Sequence, residues 1–242
     1  MRELTRQALS SVERGYDLLA PKFDHTPFRT PDDVLDATAG ALRPFGPFGG
    51  GLDVCCGTGA GMRVLSSVCQ GPILGVDFSA GMLAQARRAH PDARWVRADV
   101  RALPFAGPFA GPFAGPFDLA VSFGAFGHFL PAERPALFAG VYRALRPGGL
   151  FAFPVAAPPP VASRGYWALL GFDLAMRVRN AVWRPPFVMY YRTCPLPAVR
   201  GDLTASGFTV TTVPLAALGR REDGSPWYRL VLARTPGPPP AG

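Results

Sequence analysis

The stretch that decides the fold is Gly51-Leu52-Asp53-Val54-Cys55-Cys56-Gly57-Thr58-Gly59-Ala60-Gly61. A short apolar run leads into a glycine-rich turn, and a helical pattern begins at about Met62. Glycines let the backbone approach a ligand closely, and the N-terminus of a helix offers unpaired N–H groups. The acidic Asp53 before the turn and the glycine spacing differ from the G-x-G-x-x-G of dinucleotide-binding proteins. A carboxylate here suits a ligand with a positive amino group better than a pyrophosphate.

Outward from this turn, apolar runs alternate with helical patterns, which is typical of a parallel sheet with helices on both faces. Two further runs near the end predict an antiparallel hairpin at one edge. The sequence therefore predicts an α/β fold: a doubly wound, Rossmann-like, mostly parallel seven-stranded sheet with an antiparallel C-terminal hairpin edge. The predicted strands are Leu52–Cys56, Ile73–Phe78, Trp95–Ala98, Leu119–Phe123, Leu150–Val155, Phe208–Leu215 and Trp227–Ala233.

The length of 242 residues fits a single domain, expected over residues 1–235. Residues 1–43 predict a helical lead-in, and residues 156–200 predict a helical insertion after the fifth strand. The Pro-rich residues 236–242 predict a disordered tail. Between the third and fourth strands, Ala-Gly-Pro-Phe occurs three times in tandem over residues 106–117. This repeat predicts either a passive expanded loop or an apolar flap over the active site.

Composition disfavours several classes of protein. The formal charge is +8, but the basic residues form no stripe and Lys22 is the only lysine, so a nucleic-acid partner is not expected. Four cysteines without framework spacing and the lack of a signal-like N-terminus predict a reducing, cytoplasmic location. No apolar stretch is long enough to span a membrane. Three scattered histidines predict no metal site.

Several motifs in order along residues 50–155 resemble those of the class I S-adenosylmethionine-dependent methyltransferases. Besides the glycine-rich turn, these motifs are Gly75-Val76-Asp77-Phe78, Arg97-Ala98-Asp99-Val100, Phe117-Asp118-Leu119-Ala120-Val121-Ser122 and Leu145-Arg146-Pro147-Gly148-Gly149-Leu150. The resemblance implies S-adenosylmethionine as cofactor. It also implies that Asp77 binds the ribose hydroxyls, that Asp99 accepts from the adenine amino group, and that Tyr16 in the lead-in covers the cofactor.

The full set of cofactor-contacting residues implied by the resemblance is Tyr16, Asp53, Cys55, Gly57, Thr58, Gly59, Asp77, Phe78, Met82, Asp99, Val100, Ser122 and Phe123. Simpler interpretations exist for some of them. Asp77 and Asp99 would also suit carboxylates that cap the turns after their strands. Tyr16 would also suit a half-buried aromatic residue of an amphipathic helix. Asp53, among apolar neighbours, requires either loop N–H groups or a ligand ammonium.

His128 is the candidate catalytic residue, because it lies just past the fourth strand, where ligands bind in open α/β sheets. It is interpreted either as a general base for the acceptor proton or as a packed side chain among phenylalanines. The insertion interleaves aromatic residues with arginines over residues 161–195. It predicts either a lid with an aromatic inner face or plain helix packing with arginines reaching solvent.

Together these features predict methyl transfer by in-line displacement to a small, largely apolar or aromatic acceptor, such as a natural product, a quinone-like ring or a lipid. One alternative is a nucleic-acid methyltransferase, but the fourth strand ends in Ser122-Phe123-Gly124-Ala125 and lacks the Asn/Asp-Pro-Pro-Tyr signature. The other alternative is a non-catalytic cofactor-binding scaffold. The sequence does not decide the oligomeric state.

Overall fold

A computed structural model describes residues 12–26, 28–103, 105, 116–129, 131–161, 163–183 and 195–237. Seven helices and seven strands are described in these ranges. The helices are α1 (Val12–Leu19), α2 (Asp32–Leu42), α3 (Met62–Val68), α4 (Ala80–Ala89), α5 (Arg134–Ala144), α6 (Arg164–Trp183) and α7 (Leu196–Ala205). The strands are β1 (Gly51–Val54), β2 (Ile73–Asp77), β3 (Arg94–Arg97), β4 (Phe117–Val121), β5 (Leu145–Ala156), β6 (Thr209–Pro214) and β7 (Tyr228–Arg234).

The seven strands form one sheet in the order β3-β2-β1-β4-β5-β7-β6. Strands β1 to β5 are parallel to one another, whereas β7 is antiparallel to both β5 and β6. The predicted mixed sheet with its antiparallel C-terminal edge is therefore confirmed. Strands β2 and β3 lie on one side of β1, and β4 and β5 lie on the other, so the order of the strands reverses between β1 and β4. The carboxyl ends of β1, β2 and β4 therefore meet at the edge where open α/β sheets bind ligands.

Helices cover both faces of the sheet, because consecutive strand residues point to opposite sides. In β5, Phe151 and Phe153 join a core beneath α5 and α7, whereas Leu150 and Ala152 join a second core beneath α2 and α3. All four are essentially inaccessible to solvent. The doubly wound arrangement follows from this two-sided burial.

Capping residues and prolines in the sequence determine where several helices begin. The Ser79 hydroxyl accepts the N–H of Met82 at 3.1 Å and so caps the start of α4, while arginines in the last turn of α4 complement its dipole. Helix α2 begins after Pro31, and Asp32 and Asp33 lie in its first turn. Helix α3 begins at Met62, as the sequence predicts.

Strand bounds differ most from the prediction in β5. The sequence predicts a strand that begins at Leu150, but β5 begins at Leu145. The chain after β7 explains the difference, since the Gly148 N–H donates to the Pro236 carbonyl at 2.8 Å and the Thr235 N–H to the Gly149 carbonyl at 3.0 Å. A distant segment thus supplies hydrogen bonds to both glycines, and Gly148 has a positive φ of 76° there.

Several predicted segments lie wholly or partly outside the described residues. These are the first part of the lead-in, most of the Ala-Gly-Pro-Phe repeat, the end of the insertion and the end of the tail, at residues 1–11, 106–115, 184–194 and 238–242.

Candidate cofactor site

The glycine-rich turn has an unusual backbone at three positions. Cys55, Gly57 and Gly59 all have positive φ, at 59°, 53° and 94°. A Cβ on Gly59 would also lie 2.9 Å from the Trp95 ring, so both the torsion and the space require glycine there. A positive φ is uncommon for a residue with a side chain, and Cys55 adopts it directly after β1. The turn therefore curls back sharply at the carboxyl end of the central strand.

Asp53 lies under this turn with its side chain fully buried, 1% exposed. Neither carboxylate oxygen accepts a hydrogen bond of normal geometry from any residue that the structure describes. Burial raises the pKa of Asp53 well above its ordinary value, and the nearby charge of Asp77 raises it further. The N–H of Gly61 offsets this increase only in part. A buried carboxylate without a donor is costly, so this position calls for a positive or hydrogen-donating ligand.

The Asp53 carboxylate fits under the turn because Gly61 has no side chain. A Cβ on Gly61 would lie 2.3 Å from Oδ2 and 2.7 Å from Cγ of Asp53. No side chain fits between them, because real Cβ contacts are never this short. The start of α3 is thereby held directly against the Asp53 side chain.

Asp77 joins the ends of β1 and β2. Its Oδ2 accepts the Gly57 N–H at 2.9 Å, and its Oδ1 accepts the Ser79 N–H at 2.9 Å. Burial raises the pKa of Asp77, and the N–H groups of Ser79, Gly57 and Phe78 counteract the increase. The carboxylate therefore shapes the glycine-rich turn in addition to any contact with a ligand. The two hydrogen bonds of normal geometry, from Gly57 and Ser79, leave each oxygen a lone pair for a second donor.

Tyr16 of the lead-in reaches the same edge. Its ring packs edge-on against Phe78, with 5.7 Å between the ring centroids. The next residue, Asp17, accepts hydrogen bonds from the Ser79 hydroxyl at 2.6 Å and the Gly81 N–H at 2.7 Å. Gly81 permits this close approach, since a Cβ there would lie 2.8 Å from the Asp17 Cα.

A second carboxylate of the lead-in binds the glycine-rich turn itself. Asp24, in the 3-10 turn Ala20–His25, accepts the Thr58 hydroxyl at 2.6 Å. Arg29 lies 3.8 Å from Asp24 and pairs with Asp32 at 2.8 Å. Sequence reasoning missed Asp17 and Asp24, because an acidic residue in an amphipathic helix carries no local mark of a distant partner. Together they tie the lead-in across the ends of β1 and β2.

Asp99 follows β3 and is paired within the chain. Arg101 donates to both of its oxygens, with Nη2 at 2.6 Å from Oδ2, and Arg101 also pairs with Glu133 at 2.7 Å. Asp99 in addition accepts the Arg101 N–H and so caps the short turn Val100–Ala102. These hydrogen bonds lower the pKa of Asp99. The capping interpretation holds in the structure, and Asp99 is partly exposed beside the site.

The remaining cofactor-contacting residues implied by the resemblance lie at or next to strand ends. Ser122 is buried, and its hydroxyl donates to the Val54 carbonyl at 2.7 Å, which joins the ends of β4 and β1. Val100 and Met82 are also buried, whereas Cys55 and Phe123 are half-buried. The structure thus brings the predicted set to one edge of the sheet, and each residue's contact with the cofactor stays a prediction.

His128 ends the 3-10 turn Phe126–His128 that follows β4. Its side chain lies outside what the structure describes, so its catalytic role stays a prediction. The backbone of the turn is anchored by Phe126, whose ring lies 4.6 Å from Phe153 and 5.7 Å from Phe138 between centroids. The residue is thus held at the edge where β4 ends.

Within the described ranges, no three His, Cys, Asp or Glu residues converge as metal ligands. No helix in the described part of the chain is long and apolar enough to cross a membrane.

Comparison with known proteins identifies related sequences. Residues 52–149 match the family described as "Methyltransferase domain". The chain is 35% identical to a demethylmenaquinone methyltransferase of Beutenbergia cavernae, over 67% of this chain and 61% of the relative. It is 43% identical to a 2-phytyl-1,4-naphtoquinone methyltransferase of Thermosynechococcus vestitus, over 23% and 27%, respectively. It is 36% identical to a trans-aconitate 2-methyltransferase of Deinococcus radiodurans, over 48% and 42%. Each match spans less than two thirds of the relative's own length.

Solved structures share the fold. The DhpI–SAH complex superposes with a TM-score of 0.63 at 19% identity and covers 98% of this chain and 99% of its own. Residues 52–149 therefore carry a methyltransferase domain, and the chain shares its fold with the DhpI–SAH complex.

Proposed function

We propose that this chain binds S-adenosylmethionine at the ends of β1 and β2 and transfers its methyl group to a small, largely apolar acceptor of the quinone type. The observation that carries the proposal is the Asp53 carboxylate, which is buried beside Asp77 and accepts no hydrogen bond of normal geometry from the described part of the chain. A cationic ligand at this place relieves a cost that the protein alone does not.

The charge of the site discriminates between ligand classes. S-adenosylmethionine carries an ammonium and a sulfonium, whereas a dinucleotide carries a pyrophosphate. Asp53 and Asp77 are buried next to one another, and Asp17 adds a further negative charge within reach of Asp77. This field attracts a cation and repels a pyrophosphate, even though the glycine-rich turn resembles a phosphate-binding loop.

The residues present fit the rest of such a cofactor. In the proposed complex, Asp77 uses its second lone pairs for the ribose hydroxyls, while its N–H partners keep the carboxylate in place. Phe78 and Tyr16 supply apolar surface beside the ribose. Asp99 is exposed and accepts four hydrogen bonds from Arg101, two on each oxygen, so an adenine amino group would have to replace one of them.

The chemistry asks little of the protein beyond positioning. When bound, the cofactor supplies an activated methyl group for in-line displacement. The chain's own residues would orient the cofactor through Asp53 and Asp77, exclude water with the lead-in, and hold the acceptor on the side of β4. A hydroxyl or ring C–H acceptor also loses a proton, and His128, on the turn after β4, is the proposed base.

The quinone-type acceptor is supported by two relatives named for quinone methylation, and by the apolar composition of the insertion after β5. The trans-aconitate methyltransferase points to a different acceptor, a small carboxylate. The arginines of the insertion would suit that acceptor, which makes it the second candidate to be tested. The arginines and the aromatic residues occur in the same segment, so the choice of a quinone over a carboxylate acceptor rests on the two quinone-methylating relatives.

Two measurements test the proposal. The first is calorimetry with S-adenosylhomocysteine and with NAD. We expect binding of the former only, weakened by about 2 to 4 kcal/mol in Asp77→Ala, because charged hydrogen bonds are the strong ones. Binding of NAD, or affinity of Asp77→Ala within about twofold of the parent, which is about 0.4 kcal/mol, would contradict the assignment.

The second measurement follows transfer of a labelled methyl group to a demethylated naphthoquinone, to trans-aconitate and to transfer RNA. Transfer to the quinone supports the proposal. Transfer to aconitate would instead assign a small carboxylate as the acceptor, and transfer to RNA would assign a nucleic acid. Tight S-adenosylhomocysteine binding without transfer to any of a broad panel would favour the non-catalytic scaffold.

A further inference from the structure

Helix α6, in the insertion after β5, exposes an apolar stripe. Trp167, Leu174, Val178 and Val182 are each between 55% and 70% exposed. The last three recur every fourth residue, and Trp167 precedes Leu174 by two turns, so all four lie on one side of the helix. Large apolar side chains in such a row mark an interaction surface more often than a free surface.

The same face contains no acidic side chain. Among the described side chains of α6, every exposed one is Arg, Gly, Ala, Trp, Leu or Val. The acidic residue of the helix, Asp173, is buried, 3% exposed. Over residues 161–195 the sequence has five arginines and one acidic residue, in a chain whose formal net charge is +8.

Charge and surface chemistry decide between partners. A second copy of this chain would bring two segments of the same positive sign together, which opposes association. An anionic lipid surface offers the opposite sign to the arginines and an apolar layer to the stripe. Trp167, which packs edge-on with Tyr166 at 5.6 Å between centroids, is of the residue type enriched at membrane–water interfaces. We propose that the exposed stripe of α6 docks this protein on the surface of an anionic membrane.

The position of α6 suits such docking. Strand β5 runs parallel to β4, so it ends at the same edge of the sheet as the candidate cofactor site. Directly after β5, the Ala157 N–H donates to the Trp227 carbonyl at 2.8 Å, and Arg221 donates to the Pro158 carbonyl. The beginning of the insertion is therefore fixed to the sheet. In the docked state the helix lies in the headgroup layer, with the sheet edge beside the lipid.

The docking rests on the helix and not on the proposed acceptor. Where the proposed function also holds, an acceptor dissolved in the membrane would meet the active site at this surface. The membrane docking and the proposed methyl transfer can be tested independently, because vesicle binding requires neither cofactor nor acceptor.

The test is cosedimentation of the full chain with large vesicles of phosphatidylcholine, with and without about 30% phosphatidylglycerol. We expect binding to the anionic vesicles, weakened at high salt because ions screen the arginines. The double variant Leu174→Gln/Val178→Gln should bind about tenfold more weakly, since two apolar side chains no longer enter the lipid. Both residues are exposed, so the fold should not change. Phe45→Gln, at another exposed apolar residue, is the matched control and should bind like the parent.

Bromolipid quenching adds a positional readout. Tryptophan fluorescence should be quenched by brominated acyl chains in the parent, and the quenching should be largely lost in Trp167→Phe. Equal vesicle binding by the parent and the double variant would overturn the proposal, as would no binding by either. Light scattering on a sizing column gives a third result that would overturn it, namely a dimer of the parent that the double variant dissociates.

Discussion

The cofactor edge and the insertion helix differ in how they are built. At the ends of β1 and β2, the buried Asp77 carboxylate accepts two backbone N–H groups at 2.9 Å, and a Cβ on Gly59 or Gly61 would clash with a neighbouring side chain. Helix α6 instead presents apolar side chains outward. The cofactor edge is thus preorganised without a ligand, whereas the apolar side chains of α6 require a binding partner to be buried. Variants of the two regions should differ in cofactor affinity, from a change of about 100-fold to none.

The largest change is expected for Gly61→Ala. The new Cβ would lie 2.3 Å from the Asp53 carboxylate, so either α3 or Asp53 has to move. Overpacking of this kind costs about 1 to 3 kcal/mol of stability, and displacement of Asp53 should weaken cofactor binding by about 100-fold. Thermal unfolding and calorimetry with S-adenosylhomocysteine measure both quantities.

Gly40→Ala is the matched control for this variant. Gly40 lies within α2, and a Cβ there meets nothing within 4 Å. Alanine favours a helix over glycine by about 1 kcal/mol, so the control should unfold at an equal or higher temperature with parental affinity. If Gly61→Ala also keeps the melting temperature and the cofactor affinity of the parent, then α3 and Asp53 can move apart at little cost, which would contradict the prediction.

Most of this edge could be predicted from sequence, since its chemistry resides in short-range patterns. Asp53, Gly57, Gly59 and Asp77 stand in fixed relation to strand ends, and the sheet brings strand ends together. Asp17 and Asp24 could not be found in this way. Their partners Ser79 and Thr58 are distant in sequence, and only the packing of the lead-in brings them into contact. The beginning of β5 was placed too late because its hydrogen bonds come from the segment after β7.

A smaller change in affinity is expected for Asp53→Asn, together with a gain in stability. Burial and Asp77 raise the pKa of Asp53 above its ordinary value of 3.8, so the folded chain binds more protons than the unfolded chain as pH rises above that value. The free energy of unfolding therefore decreases with rising pH, and this contribution is lost in the variant. At neutral pH the ligand-free variant should melt higher than the parent, while cofactor binds about 10- to 100-fold more weakly.

Scanning calorimetry from pH 4 upward, with and without S-adenosylhomocysteine, checks both halves of this prediction. Asp92→Asn, at an exposed carboxylate, is the control and should change neither quantity. A variant that loses stability at neutral pH would show that Asp53 has a structural partner that offsets its burial, which would remove the main support for a cationic ligand.

Asp17→Ala should reduce affinity by about tenfold. The variant loses the hydrogen bonds to Ser79 and Gly81, at a cost of about 1 to 3 kcal/mol, so the lead-in loses the attachment that Asp17 provides. Because Asp24 still accepts from Thr58, the lead-in is loosened and not released. Hydrogen exchange over residues 12–25 should quicken in the variant, whereas Glu222→Ala, on the exposed turn before β7, should leave both readouts unchanged.

No change in cofactor affinity is expected for His128→Ala, because the cofactor contacts proposed at the end of β4 are Ser122 and Phe123, before the turn that contains His128. The turn is anchored by Phe126, so loss of the imidazole should leave the backbone in place. If His128 accepts the acceptor proton, turnover should fall by about 10²- to 10⁴-fold, and the activity of the parent should decrease towards acid pH as the imidazole becomes protonated. Single-turnover rates, melting temperature and affinity, measured on the same preparation, separate the possible roles. A lowered melting temperature with surviving turnover and an unchanged pH profile would instead assign His128 to packing, and the acceptor side of the site would then have to supply its base from elsewhere.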